Sequence, residues 1–227
     1  GGFRPLREII AEYLRVNRGV RCSWRQVVIT NGGQAGLDLA FRTILSPGDT
    51  VWFEEPGYTG ALGAVRATGA RAVPLEVSPT GGWRLVPPAG ERISAIYLTP
   101  SCQQPFCRMM PVAARQEVIR IAREHDAWIV EDDFDNDFRP PHLYVPAIQC
   151  LEDEGRTFYA GTFTKTLFPG LRLGYLVVPE SFVAHVEESM FIAGHVGSVP
   201  VQSVLFDFLD QGHYAKHVNR TRRLYAE

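Results

Sequence analysis

The chain has 227 residues, 45% of them hydrophobic and 21% charged, with a formal net charge of −2. That balance describes a soluble globular domain long enough for a sizeable core. It gives no bulk electrostatic reason to expect nucleic acid or an anionic membrane as a partner, and no apolar run reaches the length of a membrane span.

In chain order, Pro5 to Arg15 is expected to be a helix. Leu6, Ile9, Ile10, Tyr13 and Leu14 share one face at helical spacing, and Pro5 suits the first position. Gln26 to Thr30 reads as a buried strand, running through Asn31-Gly32-Gly33 into a helix from Gln34 to Phe41. A strand, a glycine turn and a helix N-terminus present N–H groups and a positive dipole end to an anion. Thr50 to Glu54 is a strand, Gly60 to Ala67 a small-residue helix and Ala72 to Glu76 another strand. Pro74 argues that this last strand lies at an edge. Ser78 to Gly90 reads as connection, Ala95 to Leu98 as a strand, and Thr99 to Pro111 as a loop. Val112 to His125 is helical, and Ala127 to Val130 is a strand entering the acids Glu131-Asp132-Asp133. Thr157 to Ala160 and Gly174 to Val178 are strands, and helices are expected over Glu180 to Ala193, Val201 to Asp210 and from His213. Alternating apolar strands and helices predict an α/β fold: three layers, with a mostly parallel mixed sheet covered by helices on both faces.

In such sheets ligands sit beyond the carboxyl ends of strands. Gly33, Tyr58, Gln104, Asp132 and Lys165 all fall just after a strand. The stretch from Gly161 to Arg172 carries most of the chemistry. It holds one of only two lysines, Lys165 and Lys216, in a chain with 21 arginines. Arginine stays protonated, whereas a desolvated lysine amine is a nucleophile that condenses with carbonyls. Thr162, Thr164, Thr166 and Arg172 flank it, and hydroxyls with a planar cation suit a phosphate. A lysine beside a phosphate site points to pyridoxal 5'-phosphate, PLP; an ordinary surface loop is the plain alternative. Asp132 suits a protonated pyridine nitrogen. Three acids in a row more often make a solvated turn, and a Mg²⁺ site is a further alternative, but the Lys165 turn places the pyridine reading above both. Tyr58 suits stacking on a flat ring or ordinary core packing.

Asn31-x-Gly33-x-x-Gly36, with Glu54 further on, also resembles a dinucleotide fingerprint, but Asn replaces its first glycine. Cys22, Cys102, Cys107 and Cys150 show no C-x-x-C spacing and no histidine at a helical partner position, so no zinc site is expected. Such cysteine usage fits a reduced, cytoplasmic setting. Cys102 and Cys107 share a loop; idle thiols are favoured over a redox pair.

Dense matches then carry a resemblance over essentially the whole chain. They are Thr30-Asn31-Gly32-Gly33-Gln34, Glu54-Glu55-Pro56-Gly57-Tyr58, Thr99-Pro100-Ser101, Glu131-Asp132-Asp133-Phe134-Asp135, the run from Gly161 to Tyr175, and Gly212-His213-Tyr214-Ala215-Lys216-His217. The chain resembles the aminotransferase-like domain, of type I PLP fold, in MocR-type regulators of the GntR superfamily. The resemblance implies that Lys165 forms the internal aldimine and that Asp132 partners the pyridine nitrogen. It implies that Tyr58 stacks on the ring and that Gly33, Gln34, Thr162, Thr164 and Arg172 form the phosphate cup. It also implies a homodimer and a ligand bearing an amino group. The chain would be the large domain over 1–227, with an N-terminal winged helix-turn-helix for DNA and a C-terminal small domain lying outside it. Phe134 stands where the family usually has Tyr, removing a hydroxyl from the cofactor's ring oxygen; Gln104 is a candidate replacement. The loop Pro100 to Cys107 also departs from the family pattern, which puts fast transamination in doubt. A regulator's effector domain is therefore expected, with a working aminotransferase as the alternative and a dinucleotide oxidoreductase behind both.

Overall fold

The computed structural model describes residues 1–135, 137–138, 145–192 and 197–225. In chain order the elements are α1 (Arg4–Arg18), β1 (Val27–Thr30), α2 (Gly33–Ile44), β2 (Thr50–Glu55), α3 (Thr59–Ala67), β3 (Arg71–Ser78), β4 (Gly82–Trp83) and β5 (Ala95–Leu98). They continue with α4 (Val112–His125), β6 (Trp128–Asp133), α5 (Ile148–Leu151), β7 (Thr157–Thr162), β8 (Gly174–Val177), α6 (Val183–Ile192), α7 (Val199–Asp210) and α8 (His213–Tyr225). The expected helix end at Ala193 lies outside the described residues.

The strands form one sheet in the order β1-β8-β7-β6-β5-β2-β3-β4. The central pairings, from β7 across to β3, are parallel, and β1–β8, β7–β8 and β3–β4 are antiparallel. Strand residues alternate between two cores. Val28, Tyr97, Val130 and Phe158 face α2, α3 and α6. Their neighbours Val27, Ile29 and Tyr159 face α1, α7 and α8, and Ile96 and Ile129 face α4. Both faces of the sheet are therefore buried, as the continuous apolar strands require. The three-layer α/β expectation holds. No described helix is long and apolar enough to cross a membrane.

Three local expectations needed adjusting. Helix α1 runs on to Arg18 and stops at Gly19, whose φ of 68° makes it a left-handed cap. The connection after Ser78 contains β4, which pairs only with Val77 and Ser78. Pro74 thus lies beyond the reach of β4, on the side of β3 where its missing N–H goes unused. The acids Glu131, Asp132 and Asp133 are not a turn: β6 extends through them.

Gly174 positions the site. It pairs with Thr30 on one side and Thr162 on the other. A Cβ there would stand 2.7 Å from Gly32 C, 2.9 Å from Gly161 O and 2.9 Å from Gly33 N. All are backbone atoms, so the turn after β1 can pass over β8 only if residue 174 lacks a side chain. Gly174→Ala is expected to destabilise the protein by about 1–3 kcal/mol through this overpacking. Urea denaturation measures it; a change within error would show that the turn yields freely.

Candidate functional site: a cleft at the strand ends

A cleft of about 290 Å³ opens where the parallel strands end. Its walls come from five segments distant in sequence. The turn after β1 contributes Gly33 and Gln34, the turn after β2 contributes Tyr58, and the loop after β5 contributes Gln104. Strand β6 contributes Asp132 with Phe134 just beyond it; the segment at and after the end of β7 contributes Thr162, Thr164, Lys165 and Arg172. The residues that the sequence assigned to the cofactor therefore line one cavity, except Thr166, whose hydroxyl, expected beside a phosphate, is buried toward Tyr214 of α8. Asn31, Gly32, Leu37 and Pro169 complete it and were not singled out. Leu37 had a signal, since it lies one helical turn beyond Gly33 and so on the same face. Pro169 had none.

At the end of the cleft formed by the turn after β1, Gly32 caps α2 at φ 86° with no side-chain cap, and the first turn of the helix holds no acid. The helix N-terminus thus offers main-chain N–H groups and a positive end. Gln34 contributes through its backbone, because its side-chain amide donates to Gly60 O at 3.0 Å. Across from it the lysine turn is internally braced. Phe163 N–H donates to Leu173 O at 3.0 Å, Thr164 N–H to Thr162 Oγ1 at 3.1 Å, and Leu167 N–H to Phe163 O at 2.9 Å. Arg172 sits at φ 46°, left-handed for a non-glycine residue.

Lys165 is exposed, contrary to the desolvated setting its apolar neighbours suggested. Those neighbours point the other way: Phe163 and Leu167 pack into the core beside α1, α7 and α8. The lysine is left facing the cleft.

The acids of β6 are sorted by strand alternation. Glu131 and Asp133 are buried with arginines, Arg115 at 3.6 Å and Arg18 at 2.6 Å. Asp132 points to the cleft face, is 5% exposed, and forms no ion pair among the described residues. Its Oδ2 accepts the Tyr97 hydroxyl at 2.9 Å. Burial pushes its pKa up to about 7, opposed by the Tyr97 bond and reinforced by the charge of Asp133. A solvated acidic turn is thereby excluded. No cluster of His, Cys, Asp and Glu among the described residues is arranged to hold a metal ion.

Glu54 is wholly buried and cannot be a ribose ligand, which corrects the dinucleotide reading. It accepts Trp83 Nε1–H at 2.6 Å, Thr99 N–H at 3.0 Å and Thr99 Oγ1–H at 2.5 Å. Thr99 Oγ1 in turn accepts Gln104 N–H at 3.2 Å, so Glu54 braces the loop that brings Gln104 to the cleft. Burial raises the Glu54 pKa to about 7 against the pull of these donors. Of the two cysteines in this loop, Cys102 is buried and Cys107 exposed.

Tyr58 forms the third wall. Its ring lies over Gly60, where a Cβ would come within 2.4 Å of Cζ. Burial and the charge of Asp132 raise its pKa.

Of the four described carboxyls with raised pKa values, Glu54, Glu131, Asp132 and Asp137, Glu54 and Asp132 are pushed up to about 7 and contribute a pH response near neutrality. Below their unfolded values both states are protonated and the stability contribution is full. As pH rises toward 7 the unfolded chain ionises first, so that contribution is lost. Each tenfold difference in proton affinity between the folded and unfolded chain is worth about 1.4 kcal/mol. Stability should therefore fall measurably as pH rises from about 5 to about 8, the range that spans both folded values. Denaturant unfolding across that range tests this, with Glu54→Gln expected to flatten the slope. A rise in stability over the same range would contradict it.

Comparison with known proteins agrees with this geometry. Residues 2–226 match the aminotransferase class I and II family. Over 226 residues the chain is 44% identical to the probable rhizopine catabolism regulatory protein MocR of Rhizobium meliloti, covering 100% of this chain and 46% of the relative. It is 35% identical over 221 residues to the HTH-type transcriptional regulator TauR of Rhodobacter capsulatus, covering 96% of this chain and 45% of the relative. The chain thus spans about half the length of these curated relatives. Among solved structures it superposes on the kynurenine aminotransferase of Pyrococcus horikoshii, determined with PMP and KYN as substrates and KYA as products. The TM-score there is 0.89 at 29% identity, over 99% of this chain and 57% of that one. The architecture is therefore the aspartate-aminotransferase-like fold. Fold, cleft and relatives agree: the chain belongs to the aminotransferase class I and II family, and its resemblance to MocR-type regulators of the GntR superfamily runs its whole length.

Proposed function

We propose that this chain is the PLP-binding, ligand-sensing domain of a MocR-type transcriptional regulator. The observation that carries the reading is the shared cleft wall. Lys165, the buried Asp132 with no cation beside it among the described residues, and a helix N-terminus without a side-chain cap line one cavity. A buried carboxylate with no cation is costly, and a pyridinium nitrogen would offset that cost. The residues therefore fit the cofactor. When bound, it supplies a carbonyl carbon to a primary amine and an electron-accepting ring. Lys165 brings the amine. Asp132 holds the ring nitrogen's proton, with Tyr97 fixing the carboxylate. Tyr58 covers the ring, and Gly33, Gln34, Thr162, Thr164 and Arg172 bind the phosphate. Phe134 closes the remaining side without a hydroxyl, and Gln104 offers a side-chain amide there.

An amino compound competing with Lys165 for the carbonyl would bind one conformation of the regulator better than the other, and so shift its state. In this reading DNA is contacted by another part of the parent protein, which acts as a cytoplasmic homodimer. The match to regulators named as such favours sensing. The close superposition on an aminotransferase keeps open a second reading, transamination of an amino acid by the same residues.

The test uses the full-length protein. After PLP is added, borohydride reduction and peptide mapping should place the cofactor mass on Lys165. Mass on Lys216, or on no lysine, would end the proposal. Amino acids added to the loaded protein then separate the two readings. Altered operator affinity without a keto-acid product supports the sensor; steady product formation supports the enzyme.

A further inference from the structure

We infer that Tyr214 and His217, on α8, are positioning residues that set the direction of Lys165 from behind the cleft. The inference rests on the functional reading of Lys165 above. Neither residue lines the cleft. Both reach Thr166, the next residue in the chain, which is 2% exposed. The Tyr214 hydroxyl lies 3.0 Å from Thr166 Oγ1 and 2.6 Å from Asp137 Oδ2. A phenol has one proton to give, and the carboxylate is the stronger acceptor. Tyr214 therefore donates to Asp137, and its oxygen, at 3.0 Å, is a nearer acceptor for the Thr166 proton than Phe163 O at 3.3 Å. His217 Nε2 lies 2.7 Å from the Thr166 carbonyl oxygen. A carbonyl only accepts, so that nitrogen must carry a proton.

Thr166 is thus held by its side chain and by its main chain at once. Lys165 shares a peptide plane with it, so this double grip fixes the direction in which the lysine leaves the turn. The anchor itself is well supported. Asp137 also accepts the Tyr13 hydroxyl from α1, and its carbonyl accepts Arg222 Nη2–H at 2.5 Å from α8. Asp137 lies just past the strand that carries Asp132 and leads to Phe134. Tyr214 consequently ties the acid-bearing wall of the cleft to the lysine-bearing wall, from a helix outside it.

The full-length protein tests this with two readouts. One needs no cofactor: the pH dependence of Lys165 acetylation by acetic anhydride, measured against a model peptide amine. The other is PLP retention. Tyr214→Phe keeps the ring that packs edge-on to Tyr13 and Phe163, both at 5.7 Å, and removes one oxygen. It should alter the Lys165 acetylation rate and weaken PLP retention about fivefold, the worth of one buried hydrogen bond. His217→Leu should do the same, and His217→Gln, which retains an N–H donor, should restore both. Unchanged acetylation in Tyr214→Phe and His217→Leu overturns the inference, even if PLP retention falls. Altered acetylation in a protein whose wild type never takes up PLP sustains the positioning role and ends the cofactor reading instead. If Tyr214→Phe fails to fold, the two His217 variants decide the matter alone.

Discussion

Replacing Lys165 with alanine in the full-length protein is expected to abolish the visible absorbance band that PLP would produce on binding in the proposed way. Retention of the cofactor should fall by about a hundredfold or more, because a covalent tether closes at an effective concentration far above that of free ligand. Asp132 and the residues proposed to bind the phosphate would remain, so weak non-covalent binding should persist. The variant should fold like the wild type: Lys165 is exposed and buries no charge. Lys165→Arg is the informative companion. It keeps the charge in the cleft but cannot supply a neutral amine. Loss of the band in both variants assigns the attachment to the amine itself; a band that survives in either refutes the assignment. Lys216, on the exposed side of α8, is the internal control, and Lys216→Ala should bind PLP normally.

A second large effect lies behind the cleft. Arg18 and Asp133 are each 2% exposed at the side chain and meet at 2.6 Å. Arg18 also donates to Ser101 Oγ at 2.8 Å, and Tyr159 donates its hydroxyl to the same Asp133 oxygen. The other oxygen, Asp133 Oδ1, is buried without a hydrogen-bond partner among the described residues. Arg18→Met keeps most of the bulk and removes the cation. It should destabilise the protein by about 3–5 kcal/mol, because an uncompensated carboxylate is left in the core. Against a typical total of about 5–15 kcal/mol, that is enough to bring many domains close to unfolding. The double change Arg18→Met with Asp133→Leu should recover much of the loss, since two apolar groups of similar volume replace the pair. Urea denaturation of both variants decides this. A single-variant loss below about 1 kcal/mol would mean that water or another cation reaches Asp133.

The two effects differ in kind, and the sequence foreshadowed them unequally. Lys165 stood out because a chain that uses arginine almost throughout keeps a lysine between threonines. Arg18 did not stand out at all. It is one of 21 arginines, at the end of a helix where a solvated cation is ordinary. Only the packing of α1 against the sheet takes it out of water and across to Asp133, 115 residues away. The same holds for the acids. Asp132 was picked out of three carboxylates in a row by its place at a strand end and by the family resemblance, but nothing in the sequence said where its two neighbours go. Once β6 extends through them, alternation sends Asp132 to one face and its neighbours to the other, where buried arginines meet them.

Local chemistry was therefore readable from the chain alone. Apolar periodicity marks strands and helices, a Gly-Gly turn marks a helix start, and an amine among hydroxyls marks a reactive position; each depends on neighbours within a few residues. The α/β class and the residues around the cleft followed from such signals. Which charges are buried, which of them are paired, and how α8 grips the lysine turn depend instead on residues brought together across dozens of positions. Those facts belong to the sheet order and to burial, because a side chain's ionisation and partners are set by what surrounds it in space.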